Sequence, residues 1–325
     1  MSIKLAVLQM LEQQRTKHLS GQQLALVLGV SRSAVWKAIK ALQAEGYSIA
    51  AVPNLGYALA ATSDLLSVEG IRLYLSPAYQ GFTITSYKTA TSTNLLAKGM
   101  ALAGAKNGSI IVAEEQTAGK GRFGRAFFSP AQTGIYLSLI LRPDLAISQA
   151  ALVTTAAAVA ICRTIAKLTN LAPRIKWVND IFLNDKKIAG ILTEAVSNME
   201  SGMVEYLVLG IGLNFKTTTA EFPPELQELA GALFQDNAPT ITRNQFIGEL
   251  CNNIFALITN LQPEYFMEEY KSLSLVLNSD ISYVLNGQEF SARAIDIAQD
   301  GGLIIENLQG VQSTLQAGEI TIRRK

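Results

Sequence analysis

The sequence is poor in the residue types that usually carry nucleophilic or metal chemistry. Its 325 residues include one histidine, His18, and two cysteines, Cys162 and Cys251. We find no serine–histidine–aspartate set, because the single histidine, His18, belongs to the N-terminal module and is expected at its surface. The cysteines lie in apolar, helix-like runs without the short spacing of metal ligands, which predicts buried free thiols in a reducing compartment.

The chain also lacks a long apolar run and a strong net charge. The most apolar stretch, Ala150–Cys162, has 13 residues, whereas a membrane-spanning helix needs about 20. The first ten residues show no signal-peptide pattern. The net charge is +1 and 49% of the residues are hydrophobic, which is a globular composition. We expect a cytoplasmic protein of two or three domains with no membrane partner.

Residues 1–62 are more basic than the chain as a whole. Six lysines and arginines stand there against Glu12 and Glu45, a net charge of +4 that leaves −3 for the rest of the chain. A basic N-terminal module on a mildly acidic body is typical of an N-terminal DNA contact.

The same segment has the order of elements of a winged helix-turn-helix. A first apolar helix is followed by a second, Gln22–Leu28, and a third that runs from Ser31 to Glu45. Strands at Tyr47–Val52 and Tyr57–Ala60 predict the wing. Residues 1–62 are therefore predicted to form a winged helix-turn-helix DNA-binding domain.

The third helix has one apolar face and one polar, cationic face. Val35, Ile39 and Leu42 share the face that we expect to pack inward. The opposite face, with Gln43 at its end, suits the major groove, because cations bind phosphates and polar side chains reach base edges. The segment Gly21 to Lys40 is predicted to contact DNA, chiefly through Ser31, Arg32, Ser33, Trp36, Lys37 and Lys40.

The rest of the chain predicts two further domains. Strand and helix patterns alternate over residues 63–273, which indicates a central mixed α/β sheet. The predicted strands are Ile84–Tyr87, Ser109–Ala113, Ile135–Ile140, Ile188–Ala195 and Tyr206–Gly210. The predicted helices are Thr93–Leu102, Gln149–Lys167, Arg243–Leu261 and Pro263–Lys271. Short strands with turns at Asn286-Gly287 and Asp300-Gly301 predict a small SH3-like β-barrel over residues 274–325.

A glycine-rich, cationic loop follows the second of these strands. Residues Gly119–Arg125 hold three glycines and three cations, so the backbone can approach a ligand closely and the side chains can neutralise phosphate. The loop matches G-x-G-x-x-G literally, but Ser129-Pro130 follows where a dinucleotide-binding loop needs a helix. We expect a loop that is mobile when empty and orders over an anionic ligand.

Two further stretches place polar side chains in apolar surroundings. The segment from Lys176 through Asp180 to Lys187 offers possible donors to a carboxylate or a phosphate, with a hairpin turn at Asn184-Asp185. Asn214 follows a glycine-flanked strand end. Taken alone, each stretch also fits a hairpin or strand end with solvated charges.

Together these stretches resemble the bifunctional biotin protein ligases that also repress the biotin operon. The matching residues are Gln116–Arg125 with Ser129-Pro130, Lys176–Asp180 with Lys187–Ile191, and Gly210–Asn214, preceded by Ser92-Thr93-Asn94. The order and spacing agree along the chain, including the helix-turn-helix start and the β-barrel end. Any one motif is weak, but the set is specific.

The resemblance implies a role for each matching residue. Biotin is expected to contact Ser92, Thr93, Asn94, Gln116, Lys120, Gly121, Arg122 and Lys187. ATP and the adenylate are expected to contact Arg122, Arg125, Phe127, Lys176, Asn179, Asp180 and Asn214. Lys187, Arg122 and Lys176 are the residues implied in catalysis, and Asp180 resembles a residue near Mg²⁺.

The implied activity is a two-step ligation. Biotin and ATP form biotinyl-5′-AMP, and the biotin then passes to a lysine of the biotin carboxyl carrier protein. The implied regulatory activity is repression at operator DNA by a homodimer that forms when biotinyl-AMP is bound.

This chain departs from the family pattern in the loop and beside it. Lys120 stands where arginine is common, which keeps the charge but loses the paired donors, and Phe127 stands where tryptophan is common, which keeps an aromatic face of smaller area. Three alternatives stay open: an inactive biotin sensor, a lipoate or octanoate transferase, and a ligase whose N-terminal module no longer binds DNA.

Overall fold

The computed structural model describes residues 2–198, 200–235, 237–285 and 288–322. Contacts divide the chain into two compact units. Unit 1 contains residues 1–81 and 241–249, and unit 2 contains residues 82–240 and 250–325. The three-domain division at residues 62 and 273 stays a prediction, and the predicted turn at Asn286-Gly287 lies outside the described residues.

Unit 1 contains the predicted order of three helices and a two-stranded wing. These elements are α1 (Ile3–Gln13), α2 (Gly21–Leu28), α3 (Arg32–Ala44), β1 (Ile49–Val52) and β2 (Gly56–Leu59). The side chains of Ser20 and Ser31 accept hydrogen bonds from backbone amides three residues on, and so cap α2 and α3 as predicted. Gly29 ends α2 with a φ of 64°, a left-handed conformation that favours glycine.

The inward face of α3 is confirmed, and its polar face needs one correction. Val35, Ile39 and Leu42 are at most 1% exposed. Gln43, expected on the exposed face, is half-buried, and its Nε2 donates to the Ile49 carbonyl at 2.8 Å. The end of α3 is thus tied to the wing, so Gln43 is a structural link and not part of the DNA face.

A further short helix, α4 (Val68–Tyr74), belongs to unit 1 and is missing from the sequence-based elements. Ser67 caps it by accepting from the Gly70 amide at 3.0 Å. Asn244 lies beside this cap, and its Oδ1 accepts from the Ser67 amide at 3.1 Å. With only seven residues, α4 shows too little helical periodicity to be recognised in the sequence.

Unit 2 is built on a seven-stranded mixed sheet. Its strands are β3 (Ile84–Tyr87), β4 (Ser109–Ala113), β5 (Gly134–Leu141), β6 (Arg174–Lys176), β7 (Asp180–Leu183), β8 (Lys186–Ser197) and β9 (Val204–Asn214). The spatial order is β3-β4-β5-β9-β8-β7-β6, and only the pair β3–β4 is parallel. Four further α-helices lie in the described part of the chain, namely α5 (Thr93–Leu102), α6 (Ala150–Leu168), α7 (Arg243–Thr259) and α8 (Met267–Leu273). The expected central α/β sheet is confirmed.

Helices α5 and α6 pack on opposite faces of this sheet. Ser138 on β5 faces Gly210 on β9 across the ladder, and the Ser138 hydroxyl lies 2.7 Å from Asn94 on α5. The next strand, β8, pairs Leu192 with Gly210, so its neighbour Thr193 points to the other face. There the Thr193 hydroxyl lies 2.6 Å from Thr154 on α6.

Helix α6 is the core helix of unit 2. It has the length and hydropathy of a membrane-crossing helix, but 72% of the apolar window is buried inside the protein. Cys162 on α6 and Cys251 on α7 are buried free thiols, as predicted. Burial raises the pKa of the Cys162 thiol to about 12, so it stays protonated and unreactive at neutral pH.

The chain ends in a five-stranded antiparallel sheet, as expected for the C-terminal domain. Its strands are β10 (Asp280–Leu285), β11 (Gln288–Ile297), β12 (Leu303–Glu306), β13 (Gln312–Leu315) and β14 (Ile320–Ile322). The spatial order is β13-β12-β11-β10-β14. Its closure into an SH3-like barrel stays a prediction.

Candidate functional site

Unit 2 contains a cavity of about 910 Å³ that lies on the sheet face covered by α5. Three glycines, Gly190 on β8 and Gly210 and Gly212 on β9, form its floor. The structure brings to this cavity the predicted residues Ser92, Thr93, Asn94, Gln116, Lys120, Gly121, Arg122, Arg125, Phe127, Lys176, Asn179, Asp180 and Lys187. Predicted residues up to 95 positions apart in the chain therefore line one cavity.

Two of the floor glycines are required by close packing. A Cβ on Gly210 would lie 2.0 Å from Asn94 Oδ1, and a Cβ on Gly212 would lie 2.5 Å from the Phe127 ring. Gly210 thus leaves room for the amide at the start of α5, and Gly212 leaves room for the aromatic ring. In the sequence these glycines precede Asn214, but no local pattern indicates the close packing that requires them.

One end of the cavity is a small polar pocket at the start of α5, here called the head pocket, which is lined by Thr93 and Gln116, with Ser129 bonded behind Gln116. The Thr93 amide donates to Gln116 Oε1 at 2.8 Å, and Gln116 Nε2 donates to Ser129 Oγ at 3.0 Å. Gly119 packs closely against this pair, because a Cβ there would lie 2.6 Å from Ser129 Oγ and 3.0 Å from Gln116 Nε2. The Gln116 amide is therefore held in one orientation.

The other end of the cavity is cationic. Six lysine and arginine side chains and four aspartate and glutamate side chains line the whole cavity, a net charge of +2. The cations are Lys120, Arg122, Arg125, Lys176, Lys186 and Lys187. Such an excess suits a polyphosphate or another compact anion.

The two loop arginines are held by protein partners in this structure. Arg122 donates through Nη1 to Asn179 Oδ1 at 2.8 Å and through Nη2 to the Gly318 carbonyl at 3.3 Å. Arg125 makes a paired contact with the Glu319 carboxylate, both distances being 2.6 Å. The loop contains a short 3₁₀ turn, Arg122–Gly124, with Phe123 at a φ of 55°.

Gly318 and Glu319 lie in the connection between β13 and β14 of the C-terminal sheet and were not predicted as site residues. They lie almost 200 positions from the loop in sequence, and no local motif marks them. Only the folded structure brings the C-terminal sheet to the loop.

Burial alters the acid–base properties of two cations in the cavity. Burial lowers the pKa of Lys176 and of Arg122 from their ordinary values, and the nearby carboxylates of Asp180 and Glu319 partly oppose this in each case. An incoming phosphate stabilises the charged form of a buried cation that has few anionic neighbours, because the phosphate replaces the solvation lost on burial.

Lys187 and Asp180 form an ion pair with a distance of 2.7 Å between Nζ and Oδ1. Among the described residues, no group of three histidine, cysteine, aspartate or glutamate side chains could hold a metal ion. Asp180 alone could contribute one carboxylate to a Mg²⁺ ion whose other ligands are phosphate oxygens and water, which is a common arrangement for that ion.

The structure does not bring Asn214 into the cavity lining. Its side chain is buried, and its Nδ2 donates to the Gly231 carbonyl at 2.9 Å. Gly231 follows Leu229 and Ala230, which do line the cavity. Asn214 therefore holds that segment in place, and its direct contact with the nucleotide stays a prediction.

Unit 1 presents the predicted DNA face of α3 to solvent. Ser31, Arg32, Ser33, Trp36, Lys37 and Lys40 are all exposed. Trp36 is 52% exposed, which is unusual for a tryptophan and suits stacking or packing against another surface. The arrangement is that of a recognition helix with polar residues at its N-terminus and cations along one side.

Comparison with known proteins gives the class of this fold and site. Residues 85–214 match the model of the biotin/lipoate A/B protein ligase family, and residues 4–58 match a helix-turn-helix domain model. The biotin protein ligase of Aquifex aeolicus, solved in complex with biotin and ATP, has the same fold. It aligns with a TM-score of 0.63 at 23% identity over 75% of this chain and 99% of its own. The chain is a protein ligase of this type with an N-terminal DNA-binding module.

Full-length relatives narrow the class further. The chain is 33% identical to the bifunctional ligase/repressor BirA of Bacillus spizizenii over 96% of both chains. It is 28% identical to the bifunctional ligase/repressor BirA of Escherichia coli over 94% of this chain and 92% of that one. The chain therefore belongs to the family of bifunctional biotin ligase/repressors.

Proposed function

We propose that this chain makes biotinyl-5′-AMP from biotin and ATP in the cavity of unit 2 and passes the biotin to a lysine of a biotin carrier protein. The observation that carries the proposal is the joining of a neutral head pocket and a cationic end in one cavity. This layout suits a ligand with a polar, uncharged head at one end and a carboxylate at the other.

In the first step the biotin carboxylate oxygen attacks the α-phosphorus of ATP. A bond forms between that oxygen and phosphorus, and the bond to the bridging oxygen breaks, so pyrophosphate leaves. No covalent enzyme intermediate is needed. Arg122, Lys176 and Lys187 would hold the carboxylate and the α-phosphate together and stabilise the charge that builds on the phosphorus oxygens.

Residues around this reaction centre would have supporting roles. Phe127 offers an aromatic face to the adenine, and Arg125 would bind phosphate in place of its present partner Glu319. Mg²⁺, carried by the ATP phosphates with Asp180 nearby, would neutralise charge on the leaving pyrophosphate.

In the second step the acceptor lysine attacks the mixed anhydride carbonyl, and AMP leaves. A free lysine amine has a pKa of about 10.4, so it must lose a proton before attack. The loop Gly119–Arg125 would exclude water from the anhydride until the acceptor arrives. On this basis Arg122→Gly should release adenylate into solution and label proteins nonselectively, a change that mass spectrometry would detect.

We further infer that the chain represses transcription as a dimer bound to operator DNA in the cytoplasm. A dimer suits two DNA half-sites, and an adenylate that orders a loop lowers the entropy cost of any association that uses the ordered loop. Sedimentation with and without biotinyl-AMP tests this linkage. An unchanged dimer constant would contradict it.

The direct test of the ligase proposal is incubation with biotin, ATP and an acceptor domain. Biotin on a single acceptor lysine is expected, and lipoate or octanoate in place of biotin should give no product. Adenylate formation without transfer would instead indicate a sensor. A mobility shift with an operator fragment tests the N-terminal module separately.

A further inference from the structure

The segment that connects β6 to β7 lines the cavity and is also bonded to a buried residue outside it. Lys176, Asn179 and Asp180 of this segment line the cavity. Val178 lies between them, and its carbonyl accepts a hydrogen bond from the Tyr270 hydroxyl at 3.0 Å. Tyr270 is fully buried on α8 and lies outside the cavity lining. The segment is therefore held in part by a residue that the mechanism of ligation does not use.

The Tyr270 hydroxyl can act only as the donor in this contact. A carbonyl oxygen has no proton to give, and burial raises the pKa of Tyr270, so the phenol keeps its proton. Replacing Tyr270 by phenylalanine would remove the donor and keep the ring that fills this buried position. A single atom thus separates the hydrogen bond from the packing.

Trp177, which precedes Val178, provides a second bond that holds the segment. Its side chain is 3% exposed, and its Nε1 donates to the Gly301 carbonyl at 2.9 Å. Gly301 lies in the turn between β11 and β12 with a φ of 87°, a conformation that favours glycine. Helix α8 and a turn of the C-terminal sheet therefore bind two adjacent residues of the same segment.

Helix α8 is connected to the strand that precedes this segment. Just after the helix, the Leu275 amide donates to the Ile175 carbonyl on β6 at 2.8 Å. Arg174 Nε, also on β6, donates to the Leu273 carbonyl at 3.1 Å. The end of α8 is thus bonded to β6, which sets the position of Tyr270 relative to the segment that β6 leads into.

Asn179 connects the same segment to the glycine-rich loop. Its Nδ2 donates to the Ile191 carbonyl at 3.0 Å, and the Ile191 amide donates back to the Asn179 carbonyl at 3.0 Å. Asn179 Oδ1 is left to accept from Arg122 Nη1 at 2.8 Å. Because Val178 directly precedes Asn179, a shift of the Val178 carbonyl would also move the acceptor that holds Arg122.

We propose that Tyr270 and Trp177 are positioning residues for the nucleotide end of the cavity. Their two hydrogen bonds hold residues 176–179 so that Lys176 and Arg122 meet the ATP phosphates. The inference rests on the proposed function, because the phosphates are those of ATP. Tyr270 and Gly301 lie outside every stretch that matches the family pattern, so α8 and the β11–β12 turn acquire a role in nucleotide binding.

The test is the effect of Tyr270→Phe on the two KM values of adenylate formation, measured by the release of pyrophosphate. The KM for ATP should rise about fivefold, the usual contribution of one hydrogen bond, and the KM for biotin should stay within about twofold of wild type. A KM does not depend on the concentration of active enzyme, so partly unfolded protein would not imitate this result. Trp177→Phe removes the indole donor and should also raise the KM for ATP.

A mutant cycle tests whether Tyr270 acts through the segment. In protein that carries both Lys176→Met and Asn179→Ala, adding Tyr270→Phe should change the KM for ATP by less than about twofold, because the side chains that it positions are gone. A fivefold rise in that background would show a general structural role and would contradict the inference. Tyr206→Phe is the matched control, because Tyr206 is another buried tyrosine of unit 2 but packs in an apolar cluster with α5, and it should leave the KM for ATP unchanged.

The remaining outcomes distinguish this inference from the proposed function. Wild-type protein that forms no adenylate contradicts both together. Normal adenylate formation by the wild-type protein, with an unchanged KM for ATP in Tyr270→Phe and in Trp177→Phe, contradicts the inference alone. Equal rises in the KM for ATP and the KM for biotin in Tyr270→Phe also contradict it, because they would show a distortion of the whole cavity.

Discussion

At the scale of single residues, glycines and buried cations determine what the cavity can hold. Gly212 is the clearest example, because its missing side chain is the space that the Phe127 ring occupies. A smaller aromatic residue at position 127 than the tryptophan common in the family still fills this place against the strand. The shape of the nucleotide end thus depends on a backbone position that lies 85 residues away in sequence.

Gly212→Ala should displace Phe127 and raise the KM for ATP at least tenfold, because the added Cβ would lie 2.5 Å from the ring and overpacking costs about 1–3 kcal/mol. The KM for biotin should change little. Gly99→Ala on α5 is the control, since nothing lies within 4 Å of its Cβ position. Steady-state kinetics measure both KM values, and an unchanged KM for ATP in Gly212→Ala would contradict the packing argument.

Lys176 should link ATP binding to proton uptake in alkaline solution. Burial lowers its pKa in the free protein, and bound phosphates raise it again. Between these two pKa values the free protein has partly lost the proton and the complex retains it. ATP affinity should therefore fall as pH rises through this window, with protons taken up on binding.

Calorimetry in two buffers of different ionisation heat measures that uptake directly. Above about pH 8 the phosphates themselves are fully ionised and contribute nothing. Lys176→Met should abolish the uptake. Equal binding heats in both buffers for the wild-type protein would show that Lys176 does not change its protonation.

At the scale of elements, helix α1 contributes one partner to each of two ion pairs, Glu12 to a buried pair and Lys4 to an exposed one. Arg15 Nε lies 2.7 Å from Glu12, which is 4% exposed, and Arg15 Nη1 donates to the Ser63 carbonyl at 2.8 Å. Burial raises the pKa of Glu12, and Arg15 opposes this. Lys4 and Glu45 form the exposed pair.

Arg15→Ala should lower the free energy of unfolding of unit 1 by about 3–5 kcal/mol, because it leaves a buried carboxylate without its partner. Lys4→Ala should cost no more than about 1 kcal/mol. Chemical denaturation measures both. The loss in Arg15→Ala should shrink toward acid pH, where Glu12 is protonated, and a loss independent of pH would contradict the assignment.

Helix α3 offers a second test at this scale. Lys37→Ala should lower the slope of log affinity against log salt by about one for operator DNA, as expected for the loss of one phosphate contact. Lys106→Ala, which removes an exposed lysine of unit 2, should leave the slope unchanged. Equal slopes for Lys37→Ala and the wild-type protein would show that Lys37 makes no contact with a DNA phosphate.

The elements also show what the sequence could and could not predict. Strands β3 and β4 and helix α5 have the predicted bounds, because periodicity and capping signals are local. Helix α4 and strand β6 were missed because they are short. The contacts of Gly318 and Glu319 with the loop arginines join distant segments, and no local pattern in the sequence encodes those contacts.

At the scale of the whole molecule, the chain combines two kinds of site. Unit 1 presents a cationic helix face, and unit 2 encloses a cavity with a neutral head pocket and a cationic end. Family membership joins these sites in one bifunctional ligase/repressor. The local charges agree with this division, since residues 1–62 are basic while the remainder of the chain is mildly acidic.

The central claim is that the cavity joins a cyclic-urea carboxylic acid to the α-phosphate of ATP. Mixing the purified protein with biotin and ATP labelled at the α-phosphate tests it most directly, with the products separated before any acceptor is added. We predict labelled biotinyl-5′-AMP and one equivalent of pyrophosphate, with the adenylate retained on the protein. Well-folded protein that yields neither product would contradict the account.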